Sequence, residues 1–281
     1  MEDLLVGAAK AGYDFLELSV DTAPGRLARL GWSAGRRMEV AAAVQRAGVP
    51  IGSVMLSGHR RYPLGSRDAG TKRRSLDILE RGIGLAADLG ASIVQLAGYF
   101  AVDEVRDGGE RGRFVEGLAH GVRWASETGV RLGLENVDGE DVTSLATAVG
   151  LVREVDSPWL SVYADVGNLA GNGLDVCAEL AIARGQILAI QLKDARLGEF
   201  RRVPFGEGTV SFDDVFAVLA RMGFVGPFAV EMWNEATDDP GAVAADARAW
   251  LAGRILMPDG QQVGSPHRAS TRLEKGALPA G

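Results

Sequence analysis

The chain has 281 residues, 47% of them hydrophobic and 24% charged, enough to bury one sizeable core as a single domain. A formal net charge of -7 excludes general nucleic-acid binding, which needs excess Lys and Arg to neutralise phosphates. The one cysteine, Cys177, excludes a disulfide framework and fits a reducing compartment; no apolar stretch is long enough to span a bilayer, and the opening MEDLLVGAAKAGYDF lacks the flank and core of a signal peptide, so a cytoplasmic protein is expected.

The chain opens on a helix-like segment and then alternates strand-like with helix-like stretches. Strands are predicted at 15–20, 51–56, 92–96, 131–135, 160–165, 187–192 and 228–232. Between them Leu76, Leu79, Ile83 and Ala86 share one helical face, as do Phe114, Leu118, Val122 and Ala125. RAGVPIGSV, DLGASIVQL, ETGVRLGLE and RMGFVGPFAV each place a glycine stop just before the next strand. Strands returning roughly every 30 to 40 residues with helices between them imply parallel βα units. The expectation is a (β/α)8 TIM barrel over 1–255, apparently lacking its first strand, which would sit ahead of Met1. A start placed too far downstream accounts for that count; a seven-strand variant, repaired by homo-oligomerisation, is the alternative. Residues 256–281 are rich in Gly, Pro and Ser without apolar period and read as a disordered tail.

Three apolar runs in the second half end on a carboxylate: LGLE at Glu135, LSVYAD at Asp165 and FAVE at Glu231. Strands of an α/β barrel open their carboxyl ends on the catalytic face, so this repetition reads as an assembled site. Taken singly, a strand-end glutamate is a solvated rim residue, and Asp165 could serve only to cap the turn through Gly167 and Asn168. After the strand at 51–56, SGHRRYPLGSRD concentrates His59, Arg60, Arg61 and Arg67 in an acidic protein, with Gly58 and Gly65 allowing close backbone approach. Guanidinium groups grip phosphate oxygens bidentately, so a sugar phosphate suits this loop, although its arginines could instead pair with neighbouring acids. EFRRVPFGEG adds Arg201 and Glu207 as candidate contacts to substrate hydroxyls. Cys177 in DVCAEL reads as a packed thiol, and His120 and Trp124, four apart, as neighbours on a helix.

The segments YDFLELSVD (13–21), LGWS (30–33), SGHRRYPLGSRD (57–68), IVQLAGY (93–99), VYADVGNL (162–169), LKD (192–194), VPFGEG (203–208) and VEMWNE (230–235) resemble the L-ribulose-5-phosphate 3-epimerase family, also called L-xylulose-5-phosphate 3-epimerases, within the xylose-isomerase-like TIM barrels. The resemblance runs in order from about residue 12 to 255. It implies interconversion of L-xylulose 5-phosphate and L-ribulose 5-phosphate in catabolism of L-ascorbate or related sugars. It also implies a divalent metal ion, Mn2+, Mg2+ or Zn2+, with two glutamates as ligands and as the acid/base pair. Glu135 and Glu231 match those glutamates, and Asp165 matches the aspartate ligand. The fourth ligand departs from the pattern: the family has histidine in a run like HLKD, and this chain has AIQLKD, with Gln191 in that place. Only His59, His120 and His267 exist, and none lies where it could obviously substitute. A glutamine carbonyl is a harder, weaker donor than imidazole, so the departure leaves open an all-oxygen metal site, a catalytically impaired sugar-phosphate-binding homologue, or a changed reaction such as epimerisation of an unphosphorylated ketose.

Overall fold

A computed structural model describes residues 1–233 and 238–255. In chain order the elements are α1 (Glu2–Lys10), β1 (Leu16–Ser19), α2 (Pro24–Leu27), α3 (Ala34–Ala47), β2 (Ile51–Leu56), α4 (Ala69–Leu89), β3 (Ile93–Ala97), α5 (Glu110–Thr128), β4 (Arg131–Glu135), α6 (Leu145–Val155), β5 (Leu160–Asp165), α7 (Val166–Gly171), α8 (Val176–Ile182), β6 (Ile187–Leu192), α9 (Phe212–Met222), β7 (Phe228–Val230) and α10 (Pro240–Ile255). The tail expected from 256 lies outside the described residues.

Four glycines set the rhythm of the chain. Gly48, Gly90, Gly129 and Gly223 close α3, α4, α5 and α9 at φ of 71°, 73°, 74° and 69°, a left-handed geometry that is costly for any residue with a Cβ. Each stop returns the chain to the sheet within a few residues. The seven strands are all parallel and ordered β1-β2-β3-β4-β5-β6-β7, a nearly closed barrel among the described residues with β1 and β7 as its edges.

Successive strand side chains point to opposite faces, and here the two faces differ in kind. Leu18, Val54, Val94, Leu96, Leu132, Leu134, Val162, Ile190 and Leu192 pack outward in one cluster with the helices, including Leu79, Ile83 and Ala86 of α4 and Phe114, Leu118 and Ala125 of α5. Each buried Val, Leu, Ile or Phe of this set contributes about 1.5–3 kcal/mol, the alanines less. The alternate positions are Glu17, Ser53, Gln95, Gly133, Tyr163 and Gln191, a polar and small set that faces the barrel interior. A second apolar cluster of Ile93, Tyr163, Leu188, Ala189 and Ala229, with Phe15 against it, lies on this side. A polar interior above that cluster is what leaves room for chemistry.

Candidate active site

Parallel register brings the strand-end residues together. Glu135 stands opposite Tyr163, and Asp165 opposite Gln191, which in turn faces Ala229. Glu231 follows β7 directly, and its N–H donates to the Leu192 carbonyl at 2.9 Å, which brings it alongside the end of β6. Asp165 is fully buried, held by the Asn136 side chain and the first turn of α7. Its own N–H donates to Asn136 Oδ1 (2.8 Å), its carbonyl accepts from Asn136 Nδ2 (2.9 Å), and its Oδ1 caps α7 by accepting from the Asn168 N–H (2.9 Å). Capping occupies one carboxylate oxygen only. The other, Oδ2, accepts from Gln191 Nε2 (3.2 Å) and Lys193 Nζ (2.9 Å). Glu231 Oε2 receives the same two donors, Gln191 Nε2 at 2.6 Å and Lys193 Nζ at 3.2 Å.

Burial and like charge govern this cluster. Burial first, and then Asp165, hold the Glu135 carboxyl well above the ordinary carboxylate range. Burial likewise pushes Asp165 up to about 6, with Lys193 opposing it and Glu231 adding to it. Burial alone would lower the Lys193 ammonium, but Asp165, Glu231 and Glu135 outweigh that effect and raise it. Deeper in the barrel, burial raises Glu17 despite hydrogen bonds from Ser53 Oγ (2.5 Å) and Tyr163 Oη (2.8 Å). Neither Glu17 nor Gln95 stood out in the sequence, because a polar residue inside a strand reads as solvent-facing until the barrel turns that face inward.

A cavity of about 1250 Å3 opens over these groups, with Glu135, Gln191, Lys193 and Glu231 in its wall, while Asp165 lies beneath. Its rim carries Arg60 and Arg201, which converge on Asp138 with Nη2 to Oδ2 distances of 2.9 and 3.0 Å. Tyr99 donates its hydroxyl to the other Asp138 oxygen and lies under the Arg60 guanidinium, 5.2 Å from ring centre. Burial would raise Asp138, but the Tyr99 hydroxyl and the two arginines hold it below the usual range. Asp138 and Tyr99 are site residues that the sequence did not flag; their only signal was position just beyond β4 and β3.

The rest of the arginine loop is arranged otherwise. A 3-10 turn over Ser57–Arg60 sends consecutive side chains in different directions. Arg60 reaches the cavity, whereas His59 is 1% exposed and turned under towards α4, its Nε2 3.1 Å from the Ser75 carbonyl oxygen. Burial drives His59 down to about 4, so it is a neutral packing residue and not the phosphate contact expected. Arg61 and Arg67 are exposed and outside the cavity wall: Arg61 lies over the Tyr62 ring at 5.6 Å, and the Arg67 N–H binds Glu104. Gly65 is pressed onto backbone, since a Cβ there would fall 2.4 Å from the Phe100 and Glu110 carbonyl oxygens. Glu207 is exposed and pairs with Arg196 at 3.4 Å, away from the cavity. Asp194 orders the following loop by accepting from the N–H groups of Gly206 and Gly208, both at 2.9 Å.

Whether a divalent cation suits these residues turns on the donors. Three carboxylates and an amide form a hard oxygen set, and the burial, with like charge beside it, that raises Glu135 and Asp165 is a cost that a bound cation offsets. As it stands, no group of three or more His, Cys, Asp or Glu among the described residues is arranged to hold a metal ion. Gln191 offers N–H groups to the carboxylates while its Oε1 accepts from Gln95 Nε2 at 2.9 Å. Gln95 Oε1, however, is buried without a partner. Inverting both amides would satisfy it from Gln191 Nε2 and turn the Gln191 oxygen to the carboxylates' common point, so the set fits an oxygen-seeking ion after local rearrangement.

A nearly closed barrel of parallel strands with carboxylates gathered at the strand ends defines the class, and the chain belongs to the xylose isomerase-like TIM barrel family, whose profile matches residues 6–254. Within it, the chain belongs with the L-ribulose-5-phosphate 3-epimerases, which makes it an isomerase of the epimerase kind. It is 40% identical over 248 residues to L-ribulose-5-phosphate 3-epimerase UlaE of Salmonella paratyphi C (strain RKS4594) and to that of Escherichia coli (strain K12), covering 88% of this chain and 87% of each relative. Among solved structures, D-psicose 3-epimerase in the presence of D-fructose superposes with a TM-score of 0.76 at 16% identity, over 89% of this chain and 91% of that one. That likeness establishes the fold.

Proposed function

We propose that the protein interconverts L-xylulose 5-phosphate and L-ribulose 5-phosphate by two-base proton transfer at C3. The observation that carries this reading is the placement of Glu135 and Glu231 at the ends of β4 and β7, in the wall of one cavity whose rim bears Arg60 and Arg201. The two sugars differ only in configuration beside the carbonyl, so one carboxylate removes the C3 proton from one face and the other returns a proton to the opposite face. A positioned base of this kind contributes roughly 10²- to 10⁴-fold each. A divalent ion held by Glu135, Asp165, Gln191 and Glu231 would supply Lewis acidity at the carbonyl oxygen. Arg60 and Arg201 grip the phosphate, and Asp138 keeps both guanidinium groups turned to the rim.

A second reading is a ketose without phosphate. Asp138 favours it, because that carboxylate already partners both rim arginines and a phosphate must compete with it. The test is incubation with L-xylulose 5-phosphate and with L-xylulose in deuterated water, with added Mn2+ or Mg2+, following deuterium at C3 by NMR. Exchange and epimerisation of the phosphate ester support the first reading. Turnover of the free ketose alone moves the assignment to the second, and binding of the phosphate ester without exchange would identify a non-catalytic homologue.

A further inference from the structure

Among the described residues, Lys193 is the one cation inside the carboxylate cluster, and the fold makes room for it. Its side chain is 6% exposed, yet its ammonium lies 2.9 Å from Asp165 Oδ2 and 3.2 Å from Glu231 Oε2. The path to that position runs over Gly167, where a Cβ would fall 2.3 Å from Lys193 Cγ and 3.0 Å from its Cε. A Cβ at 167 would also fall 2.8 Å from the Lys193 carbonyl oxygen, so this glycine lets both the backbone after β6 and the lysine stem lie against the start of α7. The same two carboxylate oxygens also take the Gln191 amide, which Gln95 fixes from behind. Lys193 lines the cavity and Asp165 does not, so the lysine stands between Asp165 and anything that enters from solvent.

We infer that Lys193 is a built-in counter-ion that occupies the place a divalent metal takes, and that metal binds this centre by exchange with it. The inference rests on the metal reading of the proposed function and adds to it a residue that sets metal affinity. The physical reason is competition. An ammonium and a dication cannot both sit between Asp165 and Glu231, because they would share the same oxygens and repel each other at a few ångströms in a low-dielectric site. The metal must therefore displace the lysine's two ion pairs before it gains its own. The lysine meanwhile partly neutralises the three carboxylates through its contacts with Asp165 and Glu231.

The experiment compares the full-length protein with its Lys193→Met and Lys193→Gln variants. Mn2+ binding is measured by electron paramagnetic resonance of the free ion, and thermal melting is recorded with and without Mn2+. Removal of the lysine is expected to tighten Mn2+ binding by roughly tenfold or more, to lower the melting temperature without metal, and to enlarge the rise that Mn2+ produces. The glutamine variant keeps a hydrogen-bond donor without the charge, so it guards against collapse of the methionine variant. Mn2+ affinity in both variants equal to or weaker than wild type would overturn the exchange while leaving the metal site itself intact. Binding by none of the three proteins would overturn both the exchange and the metal reading.

Discussion

Arg60 gives the sharpest separation between a sugar phosphate and a free sugar as substrate. Its Nη2 is engaged by Asp138 at 2.9 Å, its guanidinium lies over Tyr99, and the residue lines the cavity. With 43% of the side chain exposed, solvent screens the pair, so the lower part of the range for charge-assisted hydrogen bonds applies, about 2 kcal/mol. Arg60→Ala should therefore raise KM for L-xylulose 5-phosphate roughly thirtyfold, with kcat little changed, because the phosphate is bound equally in ground and transition states. The assay is steady-state epimerisation of L-xylulose 5-phosphate beside exchange at C3 of L-xylulose, which has no group for the arginine to hold. Asp138→Asn works in the other sense: it keeps an oxygen for the Tyr99 hydroxyl, stops neutralising Arg60 and Arg201, and should lower KM for the phosphate ester a few-fold. Equal losses on both substrates in Arg60→Ala, or an unchanged KM for the ester, would refute phosphate recognition at this rim.

Glu135→Gln and Glu231→Gln should each lower kcat for epimerisation by roughly 10²- to 10⁴-fold; one base still works in each, so C3 deuterium exchange without inversion, followed by NMR, should survive in at least one. The metal-free protein should lose stability as pH rises through the interval from 3.8 to about 6, because the native Asp165 holds its proton over that interval and the unfolded chain does not. The penalty is about 3 kcal/mol once Asp165 is charged, and it should disappear from the urea-denaturation difference between wild type and Asp165→Asn below pH 4. Gly208→Ala would drive a Cβ to 1.9 Å from Asp194 Oδ1 and 2.5 Å from the Ala195 carbonyl oxygen. That change should cost about 2–4 kcal/mol in denaturant unfolding, with early proteolysis in the loop after β6.

Sequence pattern carried the frame of this molecule further than its site. An apolar run ending in a carboxylate is a local signal, and so is a glycine ahead of a strand; β2, β3, β4, β5 and β7 were legible for one or both reasons, with Glu135, Asp165 and Glu231 at strand ends, while β1 and β6 were read from their apolar runs alone. Side-chain direction is not local. His59 and Arg60 are adjacent in a basic loop, and only the 3-10 turn decides that one is buried against α4 and the other lines the cavity. Asp138 acquires its meaning from Arg60, 78 residues earlier, and from Arg201. Gln191 likewise cannot be judged as a lone replacement for histidine. Its partner is Gln95, 96 residues away on β3, and the pair determines whether oxygen or nitrogen faces the carboxylates. A neutral imidazole has a single N–H, whereas the Gln191 amide has two and serves Asp165 and Glu231 together. Under the exchange proposed for Lys193, the departure at 191 supplies an amide that serves both carboxylates in one orientation and would turn an oxygen to a metal in the other. Gln95→Leu would therefore separate the two states: it removes both the donor that fixes Gln191 now and the acceptor that the inverted amide needs, so it should weaken Mn2+ binding while Lys193→Met strengthens it. Equal Mn2+ affinity in wild type and Gln95→Leu would mean that Gln191 contributes nothing to the metal and that three carboxylates hold it alone.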